Sequence, residues 1–174
     1  MGVERPWSNQ SGQVNNPPNQ ILRKRANILI STPSTPPISA QAAREVRRDT
    51  ALRRARTCYD HLAGVAGVAL FDEMLNRGWL EQTECQDSPR VSYRLTPLGQ
   101  QALAGKGVDL TPSSSKRRFA YGCTDWTERR LHVGGALGAA VLRALQARDI
   151  VRRTAGTRIV AVQSGIAGWF NSST

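Results

Sequence analysis

Cysteine and histidine occur as closely spaced pairs at two places in this 174-residue chain. Cys58 and His61 lie three residues apart in RTCYDHLAG, and Cys123 and His132 lie nine residues apart in CTDWTERRLHVGG. A thiolate sulfur and an imidazole nitrogen are preferred ligands of zinc and of other thiophilic metals. The four residues are therefore a candidate metal site, although their spacing matches neither a zinc finger nor a paired Cys-x-x-Cys motif.

Two other interpretations of these segments stay open. The stretch Asp125–Glu128 has the spacing of a capping box and Thr57 with Asp60 is a weaker version, so both histidines could be first-turn helix residues that hydrogen-bond locally. Cys58 and His61 could also act as a nucleophile and its base. Because neither a nucleophile elbow nor a glycine-rich phosphate loop accompanies them, the sequence predicts that the chain is not an enzyme.

An internal repeat carries the two pairs and predicts the elements that position them. HLAGVAGVALFDEMLNRGWLEQ (61–82) aligns without a gap with HVGGALGAAVLRALQARDIVRR (132–153), so that His61 falls on His132. Apolar residues recur at helical spacing in each copy, which predicts an amphipathic helix of about five turns from each histidine. Cys58 and His61 would then share one face of a first turn.

Glycines recur at equivalent positions of the repeat. Gly64 and Gly67 fall on Gly135 and Gly138. Each glycine costs a helix interior about 1 kcal/mol relative to alanine. We therefore expect them to permit close backbone packing, with the helix of one copy against the helix of the other.

A hairpin is predicted after each helix. In the first copy the strands are 80–85 and 91–96, and a further helix starts at Pro97. The second copy has VRR, the turn TAGT, the strand RIVAV and a shorter final segment, SGIAGWF. The predicted fold class is α+β, with two tandem winged-helix-like helix–hairpin–helix units at 47–111 and 112–174.

The first 46 residues differ in composition from the rest. Runs such as QVNNPPNQ and STPSTPP indicate a disordered leader over 1–46. No apolar run is long enough for an export signal or a membrane span. We therefore expect a cytoplasmic protein without a membrane partner, whose cysteines are thiols or ligands.

The net charge of +11 is concentrated at the two ends of the chain. Residues 1–56 and 112–174 each hold ten Lys/Arg against three Asp/Glu, whereas 57–111 hold four against seven. Arginine pairs with phosphate through two hydrogen bonds, but arginine-rich composition is also typical of GC-rich genomes. If DNA is bound, we expect non-specific phosphate contacts from Arg47, Arg48, Arg53, Arg54, Arg152 and Arg153.

Three phrases together resemble the C-terminal half of bacterial ArsR-type winged helix-turn-helix transcriptional regulators: ALRRARTCYDHLAG, YRLTPLGQQAL and CTDWTERRLHVGGALGAAVLRAL. The resemblance covers about residues 47–170. It implies a cytoplasmic, homodimeric repressor or activator linked to operator DNA. The leader is shorter than the family's DNA-reading domain, so the resemblance predicts a truncated sensor or dimerisation part.

The partners of such a part follow from the same resemblance. We expect weak or indirect DNA binding, through a second copy or an intact family member. The alternative is a metal- or thiol-sensing interaction module that does not bind DNA. No cofactor is certain from the sequence; if one is bound, the four candidate ligands would hold zinc or another thiophilic metal.

Overall fold

The computed structural model describes residues 39–83, 90–111 and 117–172. All of them belong to the contact unit that spans Pro33–Thr174. The other unit, Met1–Thr32, and the predicted strand end at Cys85 lie outside the described residues.

Two short helices come first, α1 (Ala40–Arg48) and α2 (Ala51–Arg54). Ser39 and Thr50 precede them, and each hydroxyl oxygen accepts a hydrogen bond from an amide in the first turn. Such caps satisfy amides that have no partner within the helix. The first helix therefore begins inside the range 1–46 that the sequence predicts to be disordered.

The chain then forms the same series of elements twice, in the order hairpin, helix, hairpin, helix. The first copy contains β1 (Arg56–Cys58), β2 (His61–Ala63), α3 (Gly64–Asn76), β3 (Leu80–Thr83), β4 (Ser92–Leu95) and α4 (Pro97–Gly105). The second copy contains β5 (Tyr121–Thr124), β6 (Leu131–Gly134), α5 (Gly135–Ala147), β7 (Val151–Arg153), β8 (Val160–Val162) and α6 (Ile166–Asn171).

Strands of the two copies lie side by side. The antiparallel sheet β3-β4-β5-β6 joins the copies where Ser92 pairs with Tyr121. The hairpins β1-β2 and β7-β8 meet at the equivalent place, where Arg56 forms an isolated bridge with Ile159. The Thr57 amide also donates a hydrogen bond to the carbonyl oxygen of Arg158, just before β8, at 2.8 Å. Each copy's second hairpin thus continues the first hairpin of the other copy, with approximate twofold symmetry.

A glycine stands at each junction between strand and helix. Gly64 at the start of α3 has φ +77° and Gly135 at the start of α5 has φ +88°. A Cβ would lie 2.3 Å from the Arg53 carbonyl oxygen in the first case and 2.6 Å from the Phe119 carbonyl oxygen in the second. Only glycine meets both the left-handed conformation and the close approach without strain.

The next glycines of the repeat lie against the histidine-bearing strands. A Cβ on Gly138 would be 2.3 Å from the Val133 carbonyl oxygen and 3.0 Å from the His61 Cβ. A Cβ on Gly67 would be 2.4 Å from the Leu62 carbonyl oxygen and 3.6 Å from the Cβ of His132. The predicted close packing is present, but each helix packs on its own strand and on the histidine of the other copy, and not helix on helix.

The core is formed mainly by the two long helices. The following side chains of α3, α5 and α6 are at most 2% exposed: Leu70, Phe71, Met74, Leu137, Val141, Leu145 and Trp169. Burial of large apolar side chains supplies the main stabilisation, at about 1.5–3 kcal/mol for each. The core therefore fixes both helices, and through the glycine contacts it fixes the two hairpins in front of them.

The predicted helix starts are wrong in both copies. Residues 56–63 and 121–134 form β-hairpins, and α3 and α5 begin only at Gly64 and Gly135. The physical reason is the left-handed glycine, which cannot lie inside a right-handed helix at low cost and so marks its first residue. Each helix is consequently shorter than the predicted five turns or so.

The elements after the helices agree better with prediction. Both second hairpins form, α4 starts at Pro97 and the final segment is helical as α6. The α+β class is confirmed, whereas the winged-helix likeness is not, because each unit carries an additional hairpin ahead of its first helix. Within the described part of the chain, no helix has the length and apolarity needed to cross a membrane.

Candidate metal centre

The structure brings together the four residues of the predicted metal site. Cys58, His61, Cys123 and His132 each offer one ligand atom, and these atoms all lie within 4.8 Å of one another. Ligands of a tetrahedral zinc, at about 2.0–2.3 Å from the ion, are separated by roughly 3.3–3.8 Å. Closing the cluster around an ion therefore requires side-chain movements of about 1 Å.

Both pairs are cross-strand neighbours. Cys58 lies opposite His61 in the β1-β2 hairpin, and Cys123 lies opposite His132 in the β5-β6 hairpin. Directly opposite residues of an antiparallel pair project to the same face. Each hairpin thus presents one sulfur and one imidazole, and the twofold arrangement places the two faces together.

The two imidazoles lie side by side in the interior. His61 and His132 are each 1% exposed, and their ring centroids are 5.1 Å apart. Among the hydrogen bonds of the described residues, the Nε2 atoms of both rings and Nδ1 of His132 have no partner. A buried polar atom without a partner costs about 1–3 kcal/mol, so these nitrogens beside two thiols form a donor set that fits a metal ion.

A carboxylate lies behind each histidine. Asp60 Oδ1 is 3.4 Å from His61 Nδ1, and Asp125 Oδ2 is 3.6 Å from His132 Nδ1. The second distance exceeds that of an ordinary hydrogen bond. The spacing of Thr57 and Asp60 predicts a helix cap and does not indicate the place of Asp60 next to His61.

Asp125 is completely buried, and its carboxylate joins several elements. Oδ1 accepts from Arg56 Nη2 at 2.5 Å and from the Thr127 hydroxyl at 2.9 Å, and Oδ2 accepts from the Gly64 amide at 2.7 Å. The amide of Glu128 also donates to Oδ1 at 3.2 Å, which is the hydrogen bond that the predicted capping box requires. It forms in the loop between β5 and β6, and not at the start of a helix. Asp125 thus holds its own hairpin to the start of α3.

The pKa of Asp125 reflects two opposing influences. Burial raises it, but the charge of Arg56 and the donors from Gly64, Glu128 and Thr127 outweigh burial and hold the pKa below its ordinary value. The carboxylate is therefore ionised at neutral pH, and Arg56, itself 1% exposed, is its buried counter-ion.

Asp60 has a more open environment. Its side chain is 46% exposed, and Arg117 donates to both carboxylate oxygens, at 2.5 and 2.8 Å. These hydrogen bonds, against a smaller effect of burial, lower the pKa of Asp60. Arg117 also donates to the Gly135 carbonyl at 2.9 Å, so the Asp60–Arg117 pair contacts the first residue of α5. Asp125 contacts the first residue of α3, Gly64, in the equivalent way.

The two thiols differ in acidity. The hydrogen bond between them raises the pKa of Cys58 in spite of the two nearby imidazoles, and it lowers the pKa of Cys123 to about 7 in spite of burial. Cys123 is therefore the thiol that more readily becomes the thiolate needed for metal binding.

An open groove of about 700 Å³ lies on the Asp60 side of the cluster and is lined by Tyr59, Asp60, His61, Arg90, Arg117 and Tyr121. Tyr59 is 92% exposed and has φ 58°, unusual for a tyrosine. Of the four candidate ligands, His61 is the one that contributes to this lining.

The arginines expected to contact DNA phosphates are not equivalent. Arg53 donates to both carboxylate oxygens of Glu128, at 2.9 and 3.0 Å, and Arg152 pairs with Asp149. The others, Arg47, Arg48, Arg54 and Arg153, are exposed at the surface.

Comparison with known proteins gives one informative likeness. The chain is 35% identical over 132 residues to the uncharacterized HTH-type transcriptional regulator YdfF of Bacillus subtilis (strain 168). The match covers 75% of this chain but 56% of that protein, so the chain spans just over half of its length. No family model and no solved structure matches.

Proposed function

We propose that this chain is the metal-sensing part of a DNA-linked transcriptional regulator of the ArsR type, and that zinc or another thiophilic metal is its effector. The observation that carries the proposal is the cluster of two thiols and two buried imidazoles. Two cysteines and two histidines are a complete ligand set for tetrahedral zinc. The cluster has ligands from both copies of the repeat, so an ion would tie the two copies together.

The regulatory role is supported by likeness. A transcriptional regulator is 35% identical to this chain, and the phrases around both ligand pairs resemble ArsR-type proteins. Regulators of that type act as homodimers, and this chain is proposed to pair with a second copy or with an intact relative. Its exposed arginines would add sequence-independent attraction to DNA.

Zinc titration of the reduced, chelator-stripped protein tests the metal site. We expect one zinc per chain in competition with a chromophoric chelator, and a loss of affinity of at least about a hundredfold on Cys58→Ser or Cys123→Ser. Thr124→Ser, an exposed neighbour of Cys123, is the matched control and should bind as the wild type does. Unchanged zinc binding in both cysteine variants would disprove the site.

Gel retardation tests the DNA link separately. The protein, with and without an intact relative, is mixed with a duplex taken from upstream of its own coding sequence, at several salt concentrations. We expect retardation that falls with salt and changes when zinc is added. Replacing Arg47, Arg48 and Arg54 by alanine should reduce the salt dependence, whereas Arg94→Ala, outside this set, should not.

A second candidate is a metal-sensing interaction module that does not bind DNA. The engagement of Arg53 by Glu128 favours it, because this arginine is already neutralised within the protein. Metal binding without retardation, even with the intact relative present, would select this candidate.

A further inference from the structure

An aspartate carboxylate lies on the far side of each candidate histidine ligand. Asp60 Oδ1 is within hydrogen-bond distance of His61 Nδ1 at 3.4 Å, whereas Asp125 Oδ2 is 3.6 Å from His132 Nδ1, which has no hydrogen-bond partner among the described residues. Both Nε2 atoms also lack a partner there. The two aspartates come from different positions of the repeat: Asp60 lies in the turn before its histidine, and Asp125 lies seven residues before its own. A carboxylate is thus placed behind each histidine by two local routes, and only the first copy has the hydrogen bond.

We infer that Asp60 is a positioning residue that fixes His61 as the Nδ1–H tautomer, so that Nε2 of this ring is the metal ligand, and that Asp125 takes the same role toward His132 when the cluster closes around an ion. This inference rests on the proposed function. A ring nitrogen that donates to a carboxylate carries the proton, which leaves the other nitrogen with a free electron pair. Carboxylates placed in this way orient metal-bound histidines and make them more basic.

The two aspartates are held with different strength. Asp125 has donors from Arg56, Thr127, Glu128 and Gly64 and is fully buried, so its position is fixed before any ion arrives. Asp60 is half exposed, and its donors are Arg117 and His61. The carboxylate behind His132 is therefore fixed in place before an ion arrives, whereas the carboxylate behind His61 can adjust with its exposed side chain.

Nitrogen-15 NMR tests the tautomers directly, because the chain has only two histidines. In the ¹⁵N-histidine protein without metal, we expect protonated Nδ1 on His61, and a less uniform tautomer on His132, whose Nδ1 has no hydrogen-bond partner among the described residues. After loading with ¹¹³Cd, coupling should appear at Nε2 of both. A purely structural role for the aspartates would not determine which nitrogen carries the proton.

Variants at the exposed aspartate give the affinity test with little risk to the fold. Asp60→Asn should weaken zinc binding about tenfold and Asp60→Ala up to about a hundredfold. In metal-free Asp60→Ala the tautomers of His61 should mix while those of His132 stay unchanged. Asp149→Asn removes an exposed charge paired with Arg152 and serves as the matched control, with affinity within about twofold of the wild type.

The outcomes separate this inference from the proposed function. Metal bound at Nδ1 of either ring, or wild-type affinity in both Asp60 variants, would overturn the inference and leave the metal site intact. A wild-type protein that binds neither zinc nor cadmium would overturn both.

Discussion

The two hairpins that carry the candidate ligands are alike at the ligands and unlike behind them. Both place a cysteine opposite a histidine. The first closes with the tight turn at Tyr59 and Asp60, while the second closes with the longer loop 125–130. That loop supplies a buried carboxylate to Arg56 of the first copy, whereas the tight turn leaves its carboxylate at the surface.

This difference shows how a duplicated unit can divide two tasks. The buried ion pair links the second hairpin to β1 and to the start of α3 without any metal. The exposed pair borders the groove beside His61. The carboxylate behind His132 is thus anchored in the core, and the carboxylate behind His61 is exposed to solvent.

The largest effect is expected when the two aspartates are removed one at a time. Asp125→Ala leaves Arg56 buried and unpaired and should lower the free energy of unfolding by about 3–5 kcal/mol. Asp60→Ala breaks an exposed pair and should lower it by at most about 1 kcal/mol. Urea unfolding of the metal-free proteins measures both. Equal losses of unfolding free energy would mean that the two aspartates support the fold to the same extent, which would contradict the difference between the two hairpins.

The stability difference between wild type and Asp125→Asn should depend on pH. The folded pKa of Asp125 is lowered, so its ionised form stabilises the fold above the unfolded pKa of about 3.9. This contribution is lost as pH falls through the folded value. Urea unfolding at pH 7 and at successively lower pH should show the gap narrowing below about pH 4. A gap that widens on acidification would contradict the assignment.

The glycines beneath the histidines give the next effect. Gly138→Ala places a Cβ against both the Val133 carbonyl and the His61 Cβ, and should cost about 1–3 kcal/mol. Gly67→Ala should cost a similar amount, because its Cβ would lie 2.4 Å from the Leu62 carbonyl oxygen, although the Cβ of His132 is farther away, at 3.6 Å. Thermal unfolding measures both, with Gly168→Ala as control, since a Cβ there meets nothing within 4 Å. A greater loss of zinc affinity in Gly138→Ala than in Gly67→Ala would show that the site depends more on the support of His61 than on that of His132.

The proximity of the four candidate ligands could be predicted from sequence even though their secondary structure could not. A spacing of three brings Cys58 and His61 together on the first turn of a helix and equally across a two-residue hairpin turn. Because His132 aligns with His61 in the repeat, the same juxtaposition of cysteine and histidine was expected in the second copy. The sequence therefore indicated which residues meet, while the choice of element depended on the left-handed glycines that follow.

The supporting contacts were beyond sequence reasoning because they join distant segments. Arg56 meets Asp125 only when β1 and β5 approach around the twofold axis, and the pairing of Ser92 with Tyr121 depends on the same arrangement. No local propensity encodes such contacts. Once Cys123 and His132 are recognised as a hairpin pair, the two acidic residues between them, Asp125 and Glu128, are the remaining signal in the sequence.

The smallest expected difference lies between the two thiols. In the metal-free protein Cys123 has a pKa of about 7, because the hydrogen bond with Cys58 stabilises its thiolate, whereas the pKa of Cys58 is raised. At pH 7 iodoacetamide should therefore modify Cys123 faster. The difference should be about tenfold or less, because the thiolate of a more acidic thiol is a weaker nucleophile. Peptide mass spectrometry assigns the sites.

Two further measurements check the cause of that difference. Cys58→Ala removes the hydrogen bond and should raise the pKa of Cys123, so the pH midpoint of its alkylation moves upward from about 7. Saturation with zinc should protect both thiols equally, because both would then be ligands of one ion. Alkylation of Cys58 ahead of Cys123 would contradict this assignment. The more acidic thiol would then be Cys58, in the copy whose supporting carboxylate, Asp60, is exposed.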